Sequence, residues 1–143
     1  MATIYRSMKQ AADGLPVVGS NAKELGVRVP PNPNSDVDLD DDGKVVLNGK
    51  GMSVAENWRY LLPHLVPKRL VPILPGAVGS NQLSCFKMGE GPFQAGSICS
   101  GLILVLKTHD PHAGNVVPSQ LIPLQDYQGQ LAATRSEWSI DET

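Results

Sequence analysis

Apolar residues recur along the chain at strand and helix spacings, and Gly, Pro and Asn punctuate them. The β-prone run Thr3-Ile4-Tyr5 leads straight into Arg6 and predicts an opening strand. Asp13-Gly14 marks a turn, and Leu15 to Val18 reads as a short extended piece around Pro16. Asn21 and Glu24 stand at capping-box spacing with Gly26 as a stop, so residues 22–25 are at most one helical turn. Val27-Arg28-Val29 is extended, and the Pro30-Pro31-Asn32-Pro33-Asn34 connector cannot be helical.

The most continuous pattern lies at Val45 to Trp58. Asn48-Gly49 separates Val45-Val46-Leu47 from Met52-Ser53-Val54, which predicts a hairpin with a two-residue turn. Asn57 is a good N-cap for a short helical piece carrying Trp58, Leu61 and Leu62, and Pro63 and Pro67 break the next segment into turns ending in Lys68-Arg69. Leu83 to Met88 alternates as a strand, with Leu83, Cys85 and Lys87 on one side and Ser84, Phe86 and Met88 on the other. The uninterrupted Leu102 to Leu106 run predicts a central strand buried on both faces. Val116-Val117-Pro118 is extended. Leu124, Tyr127 and Leu131, after Pro123 and continuing to Ala132 and Trp138, predict an amphipathic helix, with Ser139 to Thr143 a frayed tail.

Composition narrows the class. The 143 residues are 41% apolar and 18% charged, with 12 Pro and 14 Gly, which predicts one loop-rich globular domain spanning 1–143. The net charge of −2 and the absence of a basic run argue against a nucleic-acid partner. No apolar run approaches the roughly 20 residues that cross a bilayer, so no membrane partner is expected. MATIYRSMKQ lacks the layout of a secretory signal; a cytoplasmic protein is expected, with any delivery to another cell through a machine that needs no cleaved signal. Cys85 and Cys99 read as inert core thiols.

Four stretches carry candidate chemistry. Arg6 is either a solvated strand arginine or a planar fork for phosphate or carboxylate. Ser53, near the junction of strand and helix, is placed to line a cleft. Asp38, Asp40, Asp42 and Gly43 match the first half of a calcium loop, but Gly49 stands where the bidentate glutamate belongs, so an acidic turn is the better reading. His109 and His112 lack partners at spacings that complete a zinc site. There is no Walker, Rossmann, nucleophile-elbow or zinc-protease motif.

Taken in order, Tyr5-Arg6 on an opening strand, Gly49-Lys50-Gly51-Met52-Ser53-Val54 in mid-chain, and an extended His112 to Pro118 piece before a Tyr-containing helix resemble the ADP-ribosyltransferase-like toxins of bacterial type VI secretion. The resemblance implies a compact α+β fold of two packed, mainly antiparallel sheets with short helices and a cleft between them that takes NAD. It further implies an NAD-dependent effector that transfers ADP-ribose to a macromolecule or hydrolyses NAD, neutralised by a cognate immunity protein. On that basis Arg6 anchors the cofactor's phosphate or ribose, Ser53 shapes the nicotinamide end, and Tyr5 or Trp58 stacks on a ring. No glutamate occupies the third position of the pattern; Gln120, His112 and Glu90 are the polar groups available there. The alternative is a non-enzymatic protein-binding module on the same scaffold.

Overall fold

Side-chain alternation along the strands sorts the apolar residues to the two sides of one sheet. The computed structural model describes residues 1–99 and 101–143. Among them, β1 (Ile4–Lys9), β2 (Met52–Ala55), β3 (Leu83–Met88), β4 (Gly96–Cys99), β5 (Leu102–Leu106), β6 (Ala113–Pro118) and β7 (Ser139–Ile140) form an antiparallel sheet in the order β4-β5-β6-β2-β1-β3-β7. With one α-helix, α1 (Leu124–Ala132), and four single-turn 3-10 segments, the class is α+β. Where two packed sheets are expected, all seven strands are hydrogen-bonded neighbours in a single curled sheet.

Ile4 and Met8 of β1, Met52 and Val54 of β2, Phe86 and Met88 of β3, and Leu102 and Leu104 of β5 point to one side. There they meet Tyr127 and Leu131 of α1, together with Leu25, Val27, Val37 and Val45 from the long connection between β1 and β2. Tyr5 and Cys85 point to the other side, under a lid made by residues 57–80 whose Trp58, Val66, Leu70 and Ala77 complete a smaller core. Trp58 is fully buried; an aromatic of this size removes roughly 150–250 Å² from water, about 4–6 kcal/mol of gross apolar stabilisation.

Several sequence expectations need correction. Val45-Val46-Leu47 does not pair with β2: Val45 bridges Leu39 across the Asp40-to-Gly43 turn, while β2 lies between β1 and β6. The tight turn therefore falls on the acidic stretch, where Asp40 Oδ1 accepts from the Asp42 and Lys44 amides. Asp38 instead accepts from Asn48 and Lys50, so the alternate carboxylates do not converge as in a calcium loop. The Leu102–Leu106 strand is next to the sheet edge and buries Leu102 and Leu104 on one face, leaving Ile103 and Val105 half-buried. The helix ends at Ala132, and Trp138 follows a separate turn. The tail is tied down: β7 pairs with β3, Tyr5 donates to Asp141 at 2.8 Å, Arg69 meets Glu142 at 2.6 Å, and Trp58 Nε1 donates to the Thr143 carbonyl at 3.2 Å.

One hydroxyl ties the helix to the sheet. Tyr127 Oη donates to the Val116 carbonyl of β6 and accepts from the Met52 amide of β2 at 3.1 Å. Gly51 makes the approach possible, because a Cβ there lies 2.8 Å from Tyr127 Oη and closer still to the Val116 carbonyl. We predict that Gly51→Ala costs about 1–3 kcal/mol of stability by overpacking and Tyr127→Phe about 1–2 kcal/mol by leaving two backbone groups unpaired; shifts in the urea midpoint at constant slope are the measurement.

The tail supplies a pH prediction. Asp141 is held below the usual carboxylate range chiefly by the Thr143 hydroxyl, with burial opposing and Tyr5 adding to the depression. A carboxylate depressed in the folded state contributes stability above its unfolded value, about pH 4, and loses it as pH falls through the lower folded value. Asp141→Asn is expected to flatten the fall in urea midpoint between roughly pH 4 and pH 2; an unchanged slope there contradicts the assignment.

Candidate functional site

Among the described residues Arg6 is the only charged one at a buried core position, and its surroundings explain how it is tolerated. It is 6% exposed, and its donors go to main-chain carbonyls: Nε and Nη2 to Glu24 at 3.2 and 3.0 Å, Nη2 also to Ala22 at 3.1 Å, and Nη1 to Ser53 at 2.7 Å. Burial pulls its pKa down to about 10, with Asp36 pushing the other way, so the guanidinium stays charged at neutral pH. The β1–β2 register has one pair, Tyr5↔Ala55. Beyond it a guanidinium, rather than a backbone amide, meets the Ser53 carbonyl.

A cavity of about 260 Å³ opens at this seam. Arg6, Ser7 and Ser53 line its sheet side, Tyr60, Leu61 and Leu65 its lid side, and Lys107 and Asp110 the turn between β5 and β6. Ser7 is 2% exposed and its Oγ has no hydrogen-bond partner, so a buried hydroxyl on this wall is left unsatisfied. Ser53 Oγ makes one long contact, 3.4 Å to Asn115 Oδ1. Asp36 also lines the cavity, but Arg28 takes both of its oxygens, at 2.8 and 3.2 Å. Among the described residues no carboxylate lies within 4.0 Å of Lys107.

At the rim, the Tyr60 and His112 rings stack with centroids 3.9 Å apart and planes 3° from parallel. His112 Nδ1 sits 2.7 Å from Glu56 Oε1; since an ionised carboxylate only accepts, this nitrogen carries the proton and Nε2 is left for another partner. Two further bonds hold the cluster: Glu56 N donates to the His112 carbonyl at 2.9 Å, and His112 N donates to the Asp110 side-chain Oδ1 at 3.0 Å. Tyr60 is placed by the 3-10 turn Trp58–Tyr60, capped by Asn57 as its sequence position predicts.

The residues singled out from sequence are only partly brought together. Arg6 and Ser53 line the same cavity. By alternation, however, the Ser53 side chain points to the Ala55 side of β2 and Arg6 to the Ile4 side of β1, so their contact runs through the Ser53 carbonyl. Arg6 is thereby committed to the protein's own carbonyls and is not a free fork for phosphate. His112 stands at the rim behind Tyr60. Tyr5 and Trp58 are buried in the smaller core, with their polar atoms bonded to the tail, and present no ring to a ligand. Gln120 is exposed beyond Pro118, and about 17 Å of strand separates that end of β6 from Ala113 at the cavity. Glu90 lies in the turn after β3, in a different depression with Met1 and Glu137.

Sequence reasoning missed Ser7, Glu56, Tyr60, Lys107 and Asp110. A serine inside the otherwise buried strand IYRSM was a usable signal, whereas the Glu56–His112 contact spans 56 positions and leaves no local trace. Among the described residues, no group of three His, Cys, Asp or Glu is placed to hold a metal, and no helix is long and apolar enough to cross a membrane. Comparison with family models, with curated proteins and with solved structures gave no match.

Replacing Arg6 tests its part in the scaffold. Arg6→Met strips the Ala22, Glu24 and Ser53 carbonyls of their donor and is expected to cost about 3 kcal/mol or more, and Arg6→Lys nearly as much, because a point charge cannot span the three sites. Equilibrium denaturation of both variants is the check, and a loss under about 0.5 kcal/mol contradicts a structural role.

Proposed function

We propose that the protein is an NAD-consuming effector of the ADP-ribosyltransferase-like toxin type, transferring ADP-ribose to a macromolecular target or hydrolysing NAD. In this reading the seam between β2 and β1 divides the curled sheet into β4-β5-β6-β2 and β1-β3-β7, the counterparts of the two sheets in such toxins. The observation that supports the reading best is that Arg6 and Ser53, two of the positions the resemblance assigns to the cofactor site, line one cavity at that seam.

The chemistry asked of the site is charge stabilisation. Breaking the bond between the nicotinamide nitrogen and the ribose leaves the electron pair on the departing ring and positive charge on the sugar; water or an acceptor then bonds to that carbon and sheds a proton to solvent. Asp110 is the lining carboxylate without an arginine partner, and it is the group we assign to the developing cation. Ser53, whose side chain is exposed, orients the amide or a ribose hydroxyl. Arg6 acts as a positioning residue that holds the wall. A toxin of this kind is expected to meet a cognate immunity protein and to act in the cytoplasm of the cell it enters.

Incubating the purified chain with NAD and measuring released nicotinamide is the test. Release by the wild type that falls at least about 100-fold in Asp110→Asn and Ser53→Ala, with unchanged melting temperatures, is expected; no release from the wild type overturns the reading. A second reading, a non-enzymatic protein-binding module, is favoured by the occupied donors of Arg6 and by the remote positions of Gln120 and Glu90. Calorimetry separates the two, since such a module gives no heat with NAD.

A further inference from the structure

Asn48 is the one asparagine in the chain that is followed by glycine, and the turn it makes leaves both reacting groups of that pair in position. The residue is exposed. Its Oδ1 accepts from the Lys50 amide at 3.2 Å, an Asx turn that folds the side-chain carbonyl back over the next peptide unit. Among the described residues the Gly49 amide donates to no acceptor, and outside its chain neighbours no atom lies within 4 Å of where a Gly49 Cβ would sit. The far end of the side chain is held as well. Asn48 Nδ2 donates to Asp38 Oδ2 at 2.8 Å, and Lys50 Nζ bonds the other oxygen of that carboxylate at 3.1 Å.

An amide nitrogen without a hydrogen-bond partner thus lies beside a carbonyl that a second N–H polarises, which is what an intramolecular acyl transfer needs. Glycine keeps the approach of the backbone nitrogen open.

We propose that Asn48-Gly49 is a self-modification site, at which the Gly49 nitrogen closes a cyclic imide on the Asn48 side chain and water opens it to aspartate or isoaspartate. The Gly49 N–H gives its proton to hydroxide and the nitrogen bonds to Asn48 Cγ, while negative charge develops on Oδ1 against the Lys50 N–H. The bond from Cγ to Nδ2 then breaks, and Nδ2 takes a proton from water and leaves as ammonia. A second water adds to one of the two imide carbonyls and breaks its bond to the Gly49 nitrogen. Opening at Cγ leaves aspartate; opening at the main-chain carbonyl leaves isoaspartate, whose backbone runs through Cβ and Cγ. Either product adds a negative charge to a chain of net charge −2 and sets it against Asp38 in place of a donor. The Gly49 carbonyl accepts from Asn115 of β6 at 2.9 Å, so the change also loosens the approach to β2. None of this depends on the NAD-consuming reading.

Peptide mapping by mass spectrometry of the whole chain, aged in warm, mildly alkaline buffer, tests it. Amide-to-acid conversion at Asn48 is expected to run at least about tenfold faster than at any other asparagine and to give both aspartate and isoaspartate, the latter read by enzymatic isoaspartyl methylation. Aspartate alone, or faster conversion elsewhere, overturns the site. The folded chain is expected to convert about threefold faster or more than the same chain unfolded in guanidinium chloride, where the turn is lost. An equal or slower rate in the folded chain overturns the part given to the turn. Asn48→Asp is expected to lower the melting temperature by about 2 °C or more through repulsion with Asp38; an unchanged value overturns the loosening of β2.

Discussion

A buried guanidinium, solvated by main-chain carbonyls instead of paired with a carboxylate, is the constraint on which this architecture turns. Moving an ion out of water costs several kcal/mol even after relaxation, so a buried arginine persists only where fixed dipoles replace its hydration. Here the dipoles are the carbonyls of Ala22, Glu24 and Ser53, drawn from the long connection before β2 and from β2 itself. Arg6 thereby fastens an irregular loop to the sheet. Gly26 adds to the turn, with a φ of 153° that side-chain-bearing residues rarely adopt and with the Gly19 carbonyl where a Cβ would sit.

The same arrangement opens the cavity. A guanidinium between two strands takes a carbonyl that would otherwise face a backbone amide, so the sheet is continuous on either side of the seam and narrow at it. Four neighbouring structures then contribute to one hollow: the sheet supplies Arg6, Ser7 and Ser53, the β1–β2 connection Arg28 and Asp36, the lid Tyr60, and the β5–β6 turn Lys107 and Asp110. The two hydroxyls come from strands, whose backbones are fixed by ladder bonds, while Lys107 and Asp110 come from an exposed turn.

The lid has little regular structure of its own, being three single-turn 3-10 segments broken by prolines. Its order comes from Trp58, Val66 and Leu70 packing on Tyr5 and Cys85, and from the tail, which reaches back to Tyr5, Trp58 and Arg69. Burial with a nearby carboxylate raises the Cys85 thiol to about 12, which keeps it an inert packing group. The position of Tyr60 at the cavity therefore depends on residues at the far end of the chain.

Local pattern determined much of this molecule. Leu83–Met88, Leu102–Leu106, the Asn57 cap and the Pro123-initiated helix follow from alternation, apolar runs and capping chemistry, which act within a few residues and need no partner to be read. Tertiary structure decided the rest. Asn48-Gly49 makes a turn, with Gly49 at a φ of 84°, but the strand after it pairs with Ala113–Pro118 and with Ile4–Lys9, because burying Met52 and Val54 against the helix outweighs a local hairpin. The sequence also singled out Arg6 and Ser53 without showing that a carbonyl joins them or that strand alternation sends their side chains to opposite faces. The Glu56–His112–Tyr60 brace and the anchored tail join positions tens of residues apart, and a contact formed only when distant segments fold together has no period or spacing by which a linear pattern can announce it.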